Sequence, residues 1–245
     1  MRIAATGDFH LGIKGKFKIV FTLENVRYCL SRLEYLMVDV FLFCGDLSME
    51  KKYNDNVKSA LLLLASTPAK YRFMVIGNHD WWYTPKLKKR FFDPSDLKIL
   101  DGEGCYLEDL NLGVAGVRGW YDYSFNIGVD VEREKYESAL KVTSRELRKL
   151  EKALREIEDA RTKIVLMHFS PTAETVKGDP CMELCGASVF MDVIESYEVN
   201  YVFHGHSHRC RDDVLERVVN GVKIFNVACD KRGFTPLIIE LNPSP

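Results

Sequence analysis

The sequence lacks a net charge, a long apolar run and a dense set of cysteines. Its 34 basic residues almost balance 35 acidic ones, so no global charge favours binding to nucleic acid or an anionic membrane. No apolar stretch approaches the roughly 20 residues that cross a bilayer, and the first residues turn polar too early for a secretory signal. Seven scattered cysteines predict reduced thiols. We therefore expect a soluble, cytoplasmic protein without a membrane partner.

Histidine is also scarce, and its few copies are concentrated. Three of the six histidines, His204, His206 and His208, alternate at the end of an apolar run. In an extended chain, residues two positions apart point to the same side, so two rings can enter one pocket. This concentration indicates a chemical role such as metal binding.

Five short apolar runs, rich in β-branched and aromatic residues, predict buried strands. Each run ends in residues that can bind a metal ion. These residues are Asp8 and His10; Asp46; Asn78, His79 and Asp80; His168; and His206 with His208. Glycine precedes several of them, as expected where a chain leaves a sheet in a sharp turn. We therefore expect these polar side chains to gather along one edge of a sheet.

The order of the predicted elements indicates an α/β protein. Helical patterns over residues 20–37 and 55–68 separate the first three runs and predict parallel strands joined by helices. The C-terminal segment has short alternating strands with a hairpin turn at Asn220-Gly221, and it predicts a second, more antiparallel sheet. We expect one domain over residues 1–245.

A long helical segment is predicted over residues 130–161, with its Lys, Arg and Glu side chains facing water. Its apolar positions recur four and three apart over about three heptads, which is also typical of a coiled coil. The segment is expected to lie on the sheet or to form a lid, and the alternative is the seam of a homodimer.

The donors at the strand ends are carboxylates, one amide and imidazoles. This mixture suits borderline or hard divalent ions, whereas thiolate donors are missing from the set. A single carboxylate such as Asp46 can bridge two ions about 3.5–4 Å apart. The sequence therefore predicts two divalent metal ions, with manganese as the first choice and iron, zinc or nickel as alternatives.

Taken in order, Asp8-x-His10, Gly45-Asp46, Gly77-Asn78-His79-Asp80, His168 and Gly205-His206-x-His208 resemble the motifs of the calcineurin-like metallophosphoesterases. The segment GVRGW at 116–120 is also similar to a segment of some prokaryotic phosphohydrolases of this superfamily. The resemblance implies a four-layer αββα sandwich of two mixed sheets flanked by helices. It also implies a dinuclear phosphoesterase, in which a metal-bound hydroxide attacks the phosphorus of a phosphomonoester or phosphodiester.

Residue by residue, the resemblance implies that Asp8, His10, Asp46 and His208 hold one ion, and that Asp46, Asn78, His168 and His206 hold the other. His79 matches a histidine that faces the substrate, so we expect it to act on the leaving-group oxygen as an acid or a charge stabiliser. Asp80 is expected to orient His79 because the two are adjacent. His204 is expected to be structural or to hydrogen-bond a neighbour that positions a ligand.

Substrate choice is expected to depend on the loops that follow the strands. Lys14, Trp81 and Arg118 are the candidate substrate-binding residues, and they suit a small phosphoester or a nucleotide-like molecule. Alternatively, Trp81 and Trp82 pack the loop and the lysine is a solvated surface residue.

Two other functions are open from the sequence. A nuclease related to the DNA-repair branch of the superfamily is not favoured, because only 37 residues follow His208 and leave little room for a DNA-capping domain. A non-catalytic metal-binding scaffold is disfavoured because His79 is present.

Overall fold

The computed structural model of the chain describes residues 1–12, 22–84, 96–125 and 130–241, and these fall into two compact units. The first unit is Met1–Ile99 with Val227–Pro245, and the second unit is Leu100–Asn226. Each unit contains one mixed β-sheet and its own helices. The expected class, an α/β protein with two mixed sheets and helices, is therefore confirmed.

Regular elements account for much of the described chain. The strands are Arg2–Thr6 (β1), Val38–Phe43 (β2), Ala69–Met74 (β3), Lys98–Ile99 (β4), Glu103–Leu107 (β5), Leu112–Val117 (β6), Thr162–Met167 (β7), Tyr201–His204 (β8), Glu216–Val219 (β9), Val222–Asn226 (β10) and Leu237–Glu240 (β11). The α-helices are Leu23–Ser31 (α1), Asp55–Ala65 (α2), Arg133–Arg155 (α3) and Val189–Ser196 (α4). None of the helices in the described ranges is both long and apolar enough to cross a bilayer.

The sheet of the first unit has the strand order β11-β1-β2-β3-β4. β1 to β4 run parallel, and β11 pairs antiparallel with β1. Parallel neighbours need a crossover, and α1 and α2 lie in the connections before and after β2. Thr22 caps α1 in a capping box with Asn25, and the Asn54 side chain caps α2. The two predicted helices are therefore present and shorter than their patterns.

The sheet of the second unit has the order β5-β6-β7-β8-β10-β9. Its four central strands are parallel, whereas β5 and β9 pair antiparallel at the two edges. The predicted hairpin turn joins β9 to β10, and both of its residues have positive φ, 49° at Asn220 and 86° at Gly221. A two-residue turn of this kind matches the twist of paired strands.

Two expectations about the sheets need correction. The C-terminal segment does not form a separate antiparallel sheet, because β10 pairs parallel with β8 and β11 joins the sheet of the first unit. The five polar strand ends do not share one sheet either: β1, β2 and β3 belong to one sheet, and β7 and β8 belong to the other. The period of an apolar run reveals a strand and not the sheet that the strand joins.

Helix α3 packs on the sheet of its own unit with one face. Leu150, Ala153 and Leu154 are buried in a cluster with Val117 of β6 and residues of α4. Lysines and arginines cover much of the other face, as expected, but Glu146 is fully buried. The expectation that every glutamate of this segment faces water is therefore wrong at Glu146. The role of the segment as a lid or dimer element stays a prediction.

Candidate functional site

In the first unit, the loops that follow β1 and β2 run side by side. The N–H of Asp8 donates to the carbonyl of Gly45 (2.8 Å), and the N–H of His10 donates to the carbonyl of Asp46 (2.9 Å). His10 Nε2 lies 3.8 Å from Asp8 Oδ1 and 3.6 Å from Asp46 Oδ2. The pairing of the two strands thus continues into their loops and brings three predicted ligands together.

Two glycines make this close approach possible. Gly45 has φ +89°, which L side chains rarely adopt, and a Cβ there would lie 2.6 Å from the backbone N of Gly77. A Cβ at Gly77 would collide with Oδ1 of Asp46. Asp46 Oδ1 instead accepts the N–H of His79 at 2.8 Å. The other carboxylate oxygen of Asp46 is the one that lies beside His10.

Asp80 does not have the position expected for it. Its Oδ2 accepts the N–H groups of Asp46 and Gly77, both at 2.9 Å, and its Oδ1 accepts Ser48 N–H (3.2 Å) and Trp82 Nε1–H (3.0 Å). Burial raises the pKa of Asp80 to about 6, although these hydrogen bonds favour the charged form. Asp80 therefore fastens the loops after β2 and β3, and its hydrogen bonds do not run to His79.

His79 is half-buried next to His10 and Trp81. The centroid of its ring is 5.4 Å from each of these neighbours. Trp81 is 50% exposed, whereas Trp82 is 2% exposed and packs in the core. Of the two adjacent tryptophans, Trp81 is therefore the exposed one beside His79, and the packing interpretation holds for Trp82.

Two further predicted residues belong to this part of the chain, Asn78 and Lys14. Asn78 is half-buried in the same loop as His79. Lys14 lies outside the described residues.

In the second unit, His168 follows β7, and His206 and His208 follow β8. The rings of His168 and His206 are 5.0 Å apart, and the N–H of Gly205 donates to the carbonyl of His168 at 3.1 Å. His206 Nε2 donates to the carbonyl of Leu184 (3.2 Å). A ligand histidine commonly donates its other N–H to such an oxygen.

His204 has the structural environment expected for it. The side chain is fully buried. Its Nδ1 is 2.9 Å from the carbonyl oxygen of Gly205, and its Nε2 is 2.8 Å from the hydroxyl of Thr175. The carbonyl accepts, so Nδ1 carries a proton and Nε2 accepts from the hydroxyl.

Asp179 holds the loop that carries His206 and His208, and sequence analysis missed it. Its Oδ2 accepts the hydroxyl of Ser207 at 2.8 Å, and its Oδ1 accepts the N–H of Cys181 at 3.0 Å. Ser207 lies 28 positions along the chain from Asp179. No motif of the sequence marks so distant a hydrogen bond.

Backbone strain marks the same residues. Among the ten non-glycine residues with positive φ in the described ranges, four are predicted ligands: Asp8 (63°), His10 (42°), Asp46 (54°) and His206 (69°). Such conformations cost energy and tend to occur where a function requires them. Here they turn the side chains at the ends of the strands.

The donors of both units fit divalent metal ions. Ligand atoms of Asp8 and His10 lie within 4.8 Å of each other, and so do those of His168 and His206. Asp8 and Asp46 are buried, 0% and 1% exposed, and they place two negative charges beside one imidazole. A buried carboxylate pair is costly unless a cation balances it. Oxygen and imidazole donors are the types that manganese, iron, zinc and nickel accept.

Arg118 begins the segment after β6, beside His168. Its carbonyl accepts the N–H groups of His168 and Phe169, both at 3.1 Å. Its guanidinium lies over the ring of Trp120, 4.7 Å from the centroid, and its Nη2 is 3.8 Å from Oε1 of Glu146. Sequence analysis identified Arg118 and missed Glu146.

A family model described as calcineurin-like phosphoesterase matches residues 1–210. Two proteins of Helicobacter pylori, each named as an uncharacterized metallophosphoesterase, are 24% and 25% identical to the chain over 209 residues. The match covers 85% of this chain but only 44% of each relative, so the chain spans less than half the length of these curated relatives.

Solved structures show the same fold. A phosphopantetheinyl hydrolase from Mycobacterium tuberculosis superimposes with a TM-score of 0.66 at 17% identity, covering 99% of this chain and 96% of that one. GAP50, the anchor in the inner membrane complex of Plasmodium, gives a TM-score of 0.54 at 14% identity, covering 94% and 72%. At these identities, the likeness shows the fold alone.

Proposed function

The chain belongs to the calcineurin-like phosphoesterase family, and from this premise we propose that it is a metal-dependent phosphoester hydrolase. The observation that carries the proposal is the trio of Asp8, His10 and Asp46, in which one imidazole lies within 4 Å of two buried carboxylates. Buried oxygen and imidazole donors this close together suit a divalent ion and support the proposal.

We propose that Asp8, His10, Asp46 and His208 hold one divalent ion and that Asp46, Asn78, His168 and His206 hold a second. The family match over both groups of residues supports this, as do the ligand atoms that lie close together within each unit. When bound, two such ions would supply a nucleophile of lowered pKa and charge stabilisation at phosphorus. Manganese is the first candidate, followed by iron, zinc and nickel.

His79 is proposed to act on the leaving-group oxygen. Its backbone N–H donates to Asp46 Oδ1, so the loop that carries its ring is fixed to a proposed ligand. A histidine held beside the reacting group can donate a proton or a hydrogen bond as negative charge develops there. Asp80 is proposed to support the position of His79 indirectly, because its carboxylate accepts the backbone N–H groups of Asp46 and Gly77.

A small phosphoester or nucleotide-like molecule is the proposed substrate. Trp81 presents an exposed ring near His79, which suits stacking on a base. Arg118 has a partly exposed guanidinium, and its backbone is hydrogen-bonded to His168. A cytoplasmic location and a single domain over the whole chain remain predictions.

The test is a panel of metals against a panel of esters. The chain is stripped with a chelator and reloaded with Mn, Fe, Zn or Ni, and turnover is measured on p-nitrophenyl phosphate, bis-p-nitrophenyl phosphate, a cyclic nucleotide and a short DNA duplex. We expect ester hydrolysis that requires a divalent ion and exceeds that of a His79→Ala control. Equal turnover by the stripped protein, or turnover of none of the esters with any metal, contradicts the proposal.

A further inference from the structure

Glu146 is a buried carboxylate surrounded by cations. It lies on α3 with its side chain 0% exposed, and its Oε1 is 3.0 Å from Lys149 Nζ, 3.6 Å from Arg145 Nε and 3.8 Å from Arg118 Nη2. Lys149 also pairs with Asp101 at 2.6 Å. Three cations thus share two carboxylates.

Arg118 is the member of this cluster whose backbone is hydrogen-bonded to a proposed ligand, His168. Its side chain is 24% exposed, and one face of its guanidinium rests on Trp120. Within the described residues, its buried Nε–H has no hydrogen-bond acceptor. A guanidinium carries five donors in a planar fork that matches an oxyanion. The buried Nε–H is closed to a ligand, so the terminal nitrogens of the partly exposed guanidinium are the donors left for one.

A run of aromatic contacts leads from this guanidinium to the candidate ligands of the second unit. The ring of Phe169 packs on His206 at 4.2 Å, and the ring of Trp120 packs on Phe169 at 4.8 Å. The guanidinium of Arg118 stacks on Trp120, and the backbone carbonyl of Arg118 is hydrogen-bonded to His168. The side-chain contacts of the guanidinium are with Trp120 and Glu146, which suits a part of the substrate other than the phosphate that would react beside His168 and His206.

A second contact fixes the segment that contains Arg118 and Trp120. The hydroxyl of Thr143, one turn before Glu146 on α3, donates to the carbonyl of Tyr121 at 2.8 Å. The backbone of this segment and the guanidinium are thus both fastened to the same buried face of α3.

We propose that Arg118 binds a second oxyanion group of the substrate, outside the ester that is cleaved, and that Glu146 is the positioning residue that holds its guanidinium in place. The substrate class is then a phosphoester that carries a further phosphate or carboxylate. This inference rests on the proposed function.

The test uses two substrates that differ only in that group. Thymidine 5′-(p-nitrophenyl phosphate) has no second oxyanion, and its 3′-phosphate derivative carries one. The measured quantity is the ratio of kcat/KM for the two esters on the same metal-loaded preparation, so differences in folded fraction or metal content cancel. We expect the wild-type chain to favour the 3′-phosphate by about tenfold or more, the scale of a hydrogen bond to a charged group.

Arg118→Gln is expected to bring that ratio close to one. Glu146→Gln is expected to lower it by about threefold to tenfold through a rise in KM for the 3′-phosphate. If only the charge of the cluster mattered, Glu146→Gln would raise the ratio, because loss of a carboxylate makes the cluster more attractive to an anion. A higher ratio in Glu146→Gln would therefore overturn the positioning role.

Two further measurements make the test specific. Arg145→Gln removes a cation that also faces Glu146 and should leave the ratio unchanged. In the Arg118→Gln background, Glu146→Gln should have no further effect, because a positioning residue acts through the group it positions. Hydrolysis of both esters at equal kcat/KM by the wild-type chain, or of neither while p-nitrophenyl phosphate is cleaved, overturns this inference and leaves the proposed function standing. Turnover of no ester with any metal overturns the proposed function.

Discussion

The carboxylate of Asp80 accepts the backbone N–H of Asp46 at 2.9 Å, across 34 positions of the chain. The same oxygen accepts the N–H of Gly77, also at 2.9 Å. One buried side chain thus holds two loops that each carry proposed ligands. The geometry of the ligands in the first unit therefore depends on a residue that binds neither metal nor substrate.

Asp80→Asn is expected to destabilise the fold. An asparagine offers an oxygen to only one pair of the four donors and turns its own N–H groups toward the other pair, so the free energy of unfolding should fall by about 3 kcal/mol. Urea denaturation measures the loss. Asp213→Asn, at an exposed ion pair, is the matched control and should change stability little. An unchanged urea midpoint in Asp80→Asn would contradict the role of Asp80 in holding the two loops together.

His79→Ala is expected to separate chemistry from metal binding. Loss of an acid or charge stabiliser should lower kcat by roughly a hundredfold or more. The metal content, measured on the same sample by mass spectrometry, should equal that of the wild-type chain. A variant that loses an ion would place His79 among the ligands instead.

The two adjacent tryptophans are expected to behave differently. Trp82→Ala removes a buried ring and a hydrogen bond to Asp80, so it should cost about 3–5 kcal/mol of stability. Trp81→Ala should keep the stability and raise KM for a nucleotide ester while leaving p-nitrophenyl phosphate unaffected. Equal increases in KM on both substrates would argue against stacking by Trp81.

Cysteine reactivity is expected to follow burial. The structure has all seven cysteines as free thiols, and burial raises the pKa of Cys29 to about 12, so its reactive thiolate is rare at pH 8. In the folded chain, iodoacetamide should label the half-buried Cys105 and Cys181 first. Peptide mass spectrometry measures the order in which the cysteines are labelled. In the urea-unfolded chain, all seven cysteines should be labelled. Labelling of Cys29 as fast as Cys105 would contradict the burial described.

The polar residues at the strand ends could be predicted because residue types that bind metal ions directly follow the apolar runs that mark buried strands. Asp8, His10 and Asp46 each follow an apolar run, and a reactive residue type after a buried strand is visible in the sequence itself. The close approach of His10 to both carboxylates follows from the parallel pairing of β1 and β2. Local order along the chain was enough to predict these residues.

The supporting residues could not be predicted, for a physical reason. Glu146 sits in a helical pattern of alternating charges, which is typical of a solvated face, and its burial depends on where α3 meets the segment after β6. Asp179 acts through a hydrogen bond to Ser207, 28 positions away. Contacts of this kind are set by tertiary packing, which residue spacing does not record.

The most direct test of the central claim is the metal content of Asp46→Asn. The account predicts about two manganese ions for each wild-type chain after reconstitution, and at most one ion and no measurable ester hydrolysis for the variant. Asp39→Asn, in the same strand β2 and outside the proposed ligand set, should retain both ions. A full pair of ions and normal turnover in Asp46→Asn would contradict the account.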